Sequence, residues 1–281
     1  MPKTRNIDAS FIAGTRGALL ALHFRPPPAV EDRRACVIVV PAFAEEMNRC
    51  RYMQTLLAGA LNARGIGLLA VDPFGTGDSQ GAFGEATWEQ WVADTQSAMA
   101  HARHSGYERI ELLGIRLGAL LALEALAGQP PVSGLVFWQP VISGKAILNQ
   151  FLRLKIAASI GRDEAAGSTQ EFEDMIERGE HLQVAGYDVS PGLFKGIQSA
   201  HIDQHLQHLD PPLAWFSILA SAERKVPRPE LAVVEQLIAR GGNIAHQTLV
   251  AAPFWQAHER TLAPELIEPT CQAVDRGLGD D

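Results

Sequence analysis

Gly114-Ile115-Arg116-Leu117-Gly118 follows the apolar run Ile110-Glu111-Leu112-Leu113 and opens onto the helix-forming stretch Ala119 to Leu126. A strand, a turn flanked by glycines and then a helix form the setting of the G-x-S-x-G elbow. There the central side chain is driven into a sharp, strained turn and presented to substrate. A serine in that place attacks a carbonyl. Arg116 cannot, because a guanidinium is a cation with donors only. It can hold an anion, since the free amides and dipole of a helix N-terminus already favour negative charge there. A guanidinium in that spot binds a carboxylate or phosphate in bidentate fashion. The other reading is an internal pair with Glu45 or Glu46, because an enclosed guanidinium needs a partner. Both hold if a ligand displaces the carboxylate.

Other candidates surround this one. Glu45-Glu46-Met47-Asn48 lies in the loop after an early apolar strand. Two adjacent carboxylates there would repel a developing oxyanion, but one could serve as general base on water while the other pairs with Arg116. Solvated surface glutamates are the plainer reading. Asp78 and Ser79 close a turn, where serine usually bonds local backbone. Cys50 could be a surrogate nucleophile, but no histidine lies near it in sequence, which favours a structural thiol. His201, His205 and His208 fall on one face of a candidate helix, a spacing that could hold a metal if all three point inward. The surroundings read as a solvated helix, and neither a metal nor an organic cofactor is expected.

The chain has 281 residues, 47% apolar and 20% charged, enough to bury a large core. Its net charge of −8 argues against a nucleic-acid partner, which would need a basic footprint. Three cysteines, Cys36, Cys50 and Cys271, suggest a reducing compartment without a disulfide framework. The first residues show no secretory signal, and no apolar run reaches the length of a membrane span. The expectation is a soluble, cytoplasmic protein with no transmembrane segment.

The elements that must position Arg116 alternate between strand and helix. Ala18 to Arg25 reads as a strand stopped by Pro26-Pro27-Pro28. Cys36-Val37-Ile38-Val39-Val40 reads as a strand buried on both faces, and Gly65 to Asp72 as the next, ending in the turn Pro73 to Ser79. Thr87 with Gln90 suggests a capping box for a helix reaching His104. Gly134 to Trp138 is the strand after the elbow helix. The alternation implies a mostly parallel sheet flanked by helices. It breaks between 143 and 210, where helices are expected around Ile147 to Ile156, from Ser168, and from Gly192 to Leu209. The sheet resumes with Leu213 to Leu219, followed by a helix from Pro229 to Arg240, a strand from His246 to Ala251 and a C-terminal helix. Residues 1–142 and 211–281 are therefore expected to form the core, and 143–210 an inserted helical cap.

These residues resemble the α/β-hydrolase superfamily across nearly the whole chain. Asp72-Pro73-Phe74-Gly75-Thr76-Gly77-Asp78-Ser79 is similar to its D-x-x-G-x-G-x-S turn, Gly114 to Gly118 to its elbow, and Leu219 to Glu223 to the segment carrying its acid. More narrowly, Pro41 to Arg49, the arginine-centred elbow and Ala252-Pro253-Phe254-Trp255 resemble the exosortase A system-associated hydrolase 2 group, linked to bacterial exopolysaccharide and protein-sorting operons. The resemblance implies an α/β-hydrolase fold and places the acid at Glu223. Pro253 stands where the histidine is usual, and His258 is the nearest substitute. Candidate catalytic residues are thus Glu46, Glu45, Glu223 and His258. Arg116, Ile115, Leu117, Phe43 and Asn48 are the candidate substrate-binding set. Two functions are open: a hydrolase of an ester-type bond using carboxylate-activated water, or a catalytically silent scaffold recognising an anionic small molecule, lipid-linked ligand or partner chain.

Overall fold

The structure, a computed structural model, describes residues 7–160, 167–205, 209–257 and 259–279. Its centre is an eight-stranded sheet in the order β1-β2-β4-β3-β5-β6-β9-β10. The strands are β1 (Ile7–Ala13), β2 (Ala18–Phe24), β3 (Ala35–Val40), β4 (Ile66–Val71), β5 (Arg109–Ile115), β6 (Gly134–Trp138), β9 (Leu213–Leu219) and β10 (Ile244–Val250). β1 and β2 are antiparallel, β2 meets β4 antiparallel, and all later pairings are parallel. This is the mostly parallel sheet that the alternating pattern implies, in the α/β-hydrolase arrangement that the resemblance implies.

Every residue of β3 and β4 is buried, which is why both read as unbroken apolar runs. Ile38 and Val40 face a layer holding α2 (Trp88–His104), α3 (Gly118–Ala125) and α7 (Arg228–Ala239). Val37 and Val39 face α1 (Glu45–Asn62) and α8 (Ile267–Leu278). Leu57 and Leu61 of α1 are wholly enclosed, so truncating either to alanine costs about 2–5 kcal/mol. No described helix is long and apolar enough to cross a membrane.

Between β6 and β9 lie α4 (Gly144–Ile160), α5 (Thr169–Glu177), a hairpin of β7 (Leu182–Val184) and β8 (Tyr187–Val189), and α6 (Pro191–Ser199). Gly196 of α6 lies so close to Trp88 that an added Cβ would fall 2.1 Å from the Trp88 Cβ. This segment also reaches the core through Phe151 of α4, whose ring centroid is 5.0 Å from that of Phe43.

Several expectations need correction. β1 and the β7–β8 hairpin were not anticipated, and β10 begins two residues before His246. The helix expected to run from Gly192 to Leu209 ends at Ser199. His201 instead bridges to Ser143 in extended conformation, and Ile202 donates to the Ile142 carbonyl at 3.0 Å. These contacts fasten the two ends of the segment between β6 and β9 together. His201 and His205 therefore do not share a helix, and His208 lies outside the described residues. Among the described residues no cluster of three or more His, Cys, Asp or Glu side chains could hold a metal. Thr87 caps α2 by accepting from the Gln90 amide, but the Gln90 side chain turns to Thr15 and Asp94 and leaves the box half-formed.

Candidate functional site

Arg116 stands between β5 and α3 with φ of 56°. For a residue with a Cβ that conformation is strained, at about 1–3 kcal/mol. The flanking glycines make it possible. A Cβ on Gly118 would lie 2.1 Å from the Val40 carbonyl oxygen, and one on Gly114 2.6 Å from the Ala119 Cα. Two further non-glycine residues adopt positive φ on neighbouring strand ends: Ala44 (51°) after β3 and Gln139 (44°) after β6. The strain is thus gathered at the carboxyl edge of three adjacent strands, where the surrounding structure must hold it in place. The turn is fastened from both sides, since the Arg116 amide donates to the Trp138 carbonyl and its carbonyl accepts from the Val141 amide, each at 3.1 Å.

The guanidinium is enclosed on three sides. Its Nε lies 3.3 Å from Glu46 Oε2, and one terminal nitrogen donates to the Gln139 carbonyl at 3.2 Å. Its face lies against Trp255, with Cζ 5.1 Å from the ring centroid, a cation–π contact. The pair is largely dry, with side chains 9% and 15% exposed for Arg116 and Glu46. Burial pushes the Glu46 carboxyl above its ordinary value, and Arg116 offsets only part of that. Of the two candidate partners, then, Glu46 takes the cation. Glu45 does not: its Oε2 is buried and has no hydrogen-bond partner.

Two cavities flank this cluster. The first, about 230 Å³, is walled by Phe43, Trp88, Trp91, Tyr187 and the elbow residues Leu117 and Gly118. The second, about 470 Å³, is walled by Glu45, Glu46, Arg49, Phe151 and Gln256. Phe43 belongs to both walls. The backbone amides of Phe43 and Leu117 donate to no acceptor among the described residues. One such donor after the elbow and one from the loop after β3 form the usual pair for stabilising an oxyanion.

Residues 31–188 match the family model described as serine aminopeptidase, S33. The chain belongs to that S33 family. Solved structures of similar fold include Est1E of Butyrivibrio proteoclasticus with ferulic acid bound, at 17% identity and a TM-score of 0.66, covering 95% of this chain and 97% of that one. A thermostable carboxyl esterase of Bacillus coagulans with glycerol is similar at 13% identity and a TM-score of 0.68, covering 98% and 100%. An esterase of Pyrococcus furiosus is similar at 15% and 0.62, covering 98% and 92%. At these identities the likeness is one of fold. No curated protein matches the sequence.

Against this S33 scaffold the remaining candidates sort clearly. Leu117, Phe43 and Asn48 line the first cavity. Ile115 is wholly buried inside β5 and lines neither. Glu223 is exposed, and a hydrogen bond from Ser221 holds its carboxyl below the ordinary value. It orients no histidine among the described residues, and His258 lies outside them. Cys50 is fully buried in α1 and burial pushes its thiol up, which removes it as a nucleophile. Ser79 is structural: its hydroxyl donates to the Asp72 carbonyl at 2.6 Å and accepts from the Leu20 amide at 2.8 Å.

The sequence reading missed Glu230. This buried carboxylate in α7 accepts from Trp215 Nε1 at 2.9 Å and Ser217 Oγ at 2.5 Å, and from Gln139 Nε2 at 3.5 Å. Ser217 Oγ also lies 2.8 Å from His246 Nε2. The Gln139 side-chain oxygen accepts from the Ile218 amide, so Gln139 ties this network to the carbonyl that holds Arg116. Ser217 and Glu230 lie 13 positions apart, and that separation gave no local signal for the pair.

Proposed function

We propose that this S33-family protein takes an acyl ester into its capped cavities and hydrolyses it by direct attack of water, with no covalent acyl-enzyme. The observation that carries the reading is the division of labour between adjacent carboxylates. Glu46 neutralises Arg116, while Glu45 lines a cavity and its carboxylate pairs with no cation among the described residues. Glu45 removes a proton from water as the oxygen bonds to the ester carbonyl carbon. The carbonyl oxygen gains the electron pair and is held by the Leu117 and Phe43 amides. As the intermediate collapses, the C–O bond to the leaving group breaks and Glu45 returns its proton to the departing alkoxide. The aromatic wall of Phe43, Trp88 and Trp91 suits an apolar acyl or aryl group.

The narrower assignment to the exosortase-associated, exopolysaccharide-linked group gains support from where its three sequence segments meet. Glu46 from the first bonds Arg116 from the second, and Trp255 from the third covers it. Arg49 adds a bond to the Gln256 carbonyl at 3.2 Å. Segments separated widely in sequence thus form one cluster, as expected of a shared specialised site in a cytoplasmic enzyme of that group.

A second reading is favoured by Arg116 itself: a silent scaffold whose anionic ligand or partner displaces Glu46 from the guanidinium. A panel of p-nitrophenyl esters with a fluorophosphonate probe separates the two. Water-mediated hydrolysis predicts turnover, no labelled serine, and a loss of roughly 10²-fold in Glu45→Gln. A labelled serine, or turnover indifferent to Glu45→Gln, removes the water mechanism. Absence of turnover across the panel, with an anionic ester still raising the melting temperature, supports the scaffold.

A further inference from the structure

At the amino edge of the sheet, opposite the elbow, Glu111 of β5 is 1% exposed and its Oε1 has no hydrogen-bond partner among the described residues. Buried carboxylates are paired as a rule, because desolvating one without a partner is costly. Burial, with repulsion from Asp275, pushes its carboxyl well above the ordinary value, and Arg33, which opposes that shift, is already committed to Asp275 at 2.6 Å. Two glycines pack closely against the carboxyl. A Cβ on Gly277 of α8 would fall 2.3 Å from Oε1, and one on Gly134 of β6 would fall 3.1 Å away. Both glycines, with Glu111, Asn243, Ala245 and Arg276, wall a cavity of about 400 Å³. A single water occupies roughly 30 Å³ of liquid, so the space exceeds what one bridging water needs. Arg276 is exposed, and its side chain makes no ion pair or hydrogen bond among the described residues. The cavity therefore has an enclosed carboxyl at its floor and a guanidinium at its rim.

We propose that this cavity binds a small zwitterion of amino-acid type, with its ammonium on Glu111 and its carboxylate on Arg276. The ammonium supplies three donors and a positive charge to the enclosed acid, and so favours its ionised form. The guanidinium at the mouth receives a carboxylate in its planar fork. A purely anionic ligand leaves Glu111 unpaired and a purely cationic one leaves Arg276 unpaired, so both ends are needed for full binding. The site is independent of the elbow and of the chemistry proposed there.

Thermal unfolding with 5-aminopentanoate, pentylamine and pentanoate at equal concentration tests this. At a concentration well above its Kd, 5-aminopentanoate is expected to raise the melting temperature by about 2–4 °C, pentylamine by less and pentanoate not at all. Glu111→Gln, which keeps shape and removes charge, abolishes the rise. Arg276→Gln lies on the surface, leaves folding intact, and reduces the response to 5-aminopentanoate to that of pentylamine. General exclusion of zwitterions from the protein surface would raise wild type and Glu111→Gln alike. That outcome, an absent rise, or pentylamine matching 5-aminopentanoate in wild type overturns the proposal.

Discussion

Trp255 lies across the guanidinium of Arg116, 5.1 Å from Cζ to ring centroid. It arrives on the segment after β10, where the α/β-hydrolase pattern would deliver an imidazole. The two substitutions are complementary. A serine at the elbow needs a histidine to take its proton, whereas an arginine needs an anion and a π-face. Arg116, Glu46 and Trp255 therefore form a self-consistent set, not a catalytic triad with one part missing.

Restoring only the serine should accordingly restore nothing. Arg116→Ser puts a hydroxyl at the elbow beside Trp255 and frees the Glu46 carboxylate, with no described imidazole in reach. The expected result is no fluorophosphonate label at that position and no gain in ester turnover over wild type. Labelling there would mean that a histidine reaches the elbow.

Removing the cation should cost stability. In Arg116→Ala the Glu46 carboxyl keeps its burial and loses the charge that partly offsets it, a change worth about 3 kcal/mol for an enclosed pair. Adding Glu46→Gln removes the stranded charge, so the double variant should recover roughly half of that loss. Urea denaturation of the two single variants and the double gives the coupling directly. Additive losses would mean that the pair carries no net interaction.

The elbow was legible in the sequence because its signals are local: an apolar strand run, two glycines and a helix-forming run within a few residues. The same holds for the glycine-rich turn after β4. What closes around Arg116 was only partly legible. Glu46 was one of two named partners, but adjacency in sequence cannot say which carboxylate turns inward. Trp255 and Gln139 reach the site through sheet pairing at long range. Nothing in an alanine or glutamine announces a positive φ, so the strain at Ala44 and Gln139 was invisible. The overlong third helix had the opposite cause. The i, i+4 histidine spacing suits a helix, but the chain must return to the sheet there, and the Ser143–His201 bridge with its flanking hydrogen bonds overrides propensity.

The glycine after the elbow offers a test of geometry separate from charge. Gly118→Ala would set a Cβ 2.1 Å from the Val40 carbonyl and 2.6 Å from that of Pro41. Both obstacles are backbone, so neither can rotate aside as a flexible side chain would. The turn must lift away from β3, at a cost on the order of 3 kcal/mol. Gly106→Ala, with open space around its added Cβ but φ of 93°, loses only its backbone allowance, about 1 kcal/mol. Chemical denaturation should rank them in that order. Equal losses would place the strain in backbone conformation alone.

Acid stability should be governed in part by His23, far from the elbow. This residue of β2 is 2% exposed and its Nε2 lies 2.7 Å from the Tyr107 hydroxyl. Burial, with smaller repulsion from Arg25 and His101, lowers its pKa from 6.5 to about 4. The folded state thus disfavours the charged ring. A depressed histidine contributes its stability above the unfolded pKa of 6.5, and that contribution is lost as pH falls towards about 4. The full difference is on the order of 3 kcal/mol. His23→Gln keeps a polar partner for Tyr107 and cannot take up the proton. Its unfolding free energy should fall less than that of wild type between pH 6.5 and 4, with both chains sharing the loss due to carboxylates. Parallel pH profiles for the two would show that the buried imidazole titrates at its ordinary value.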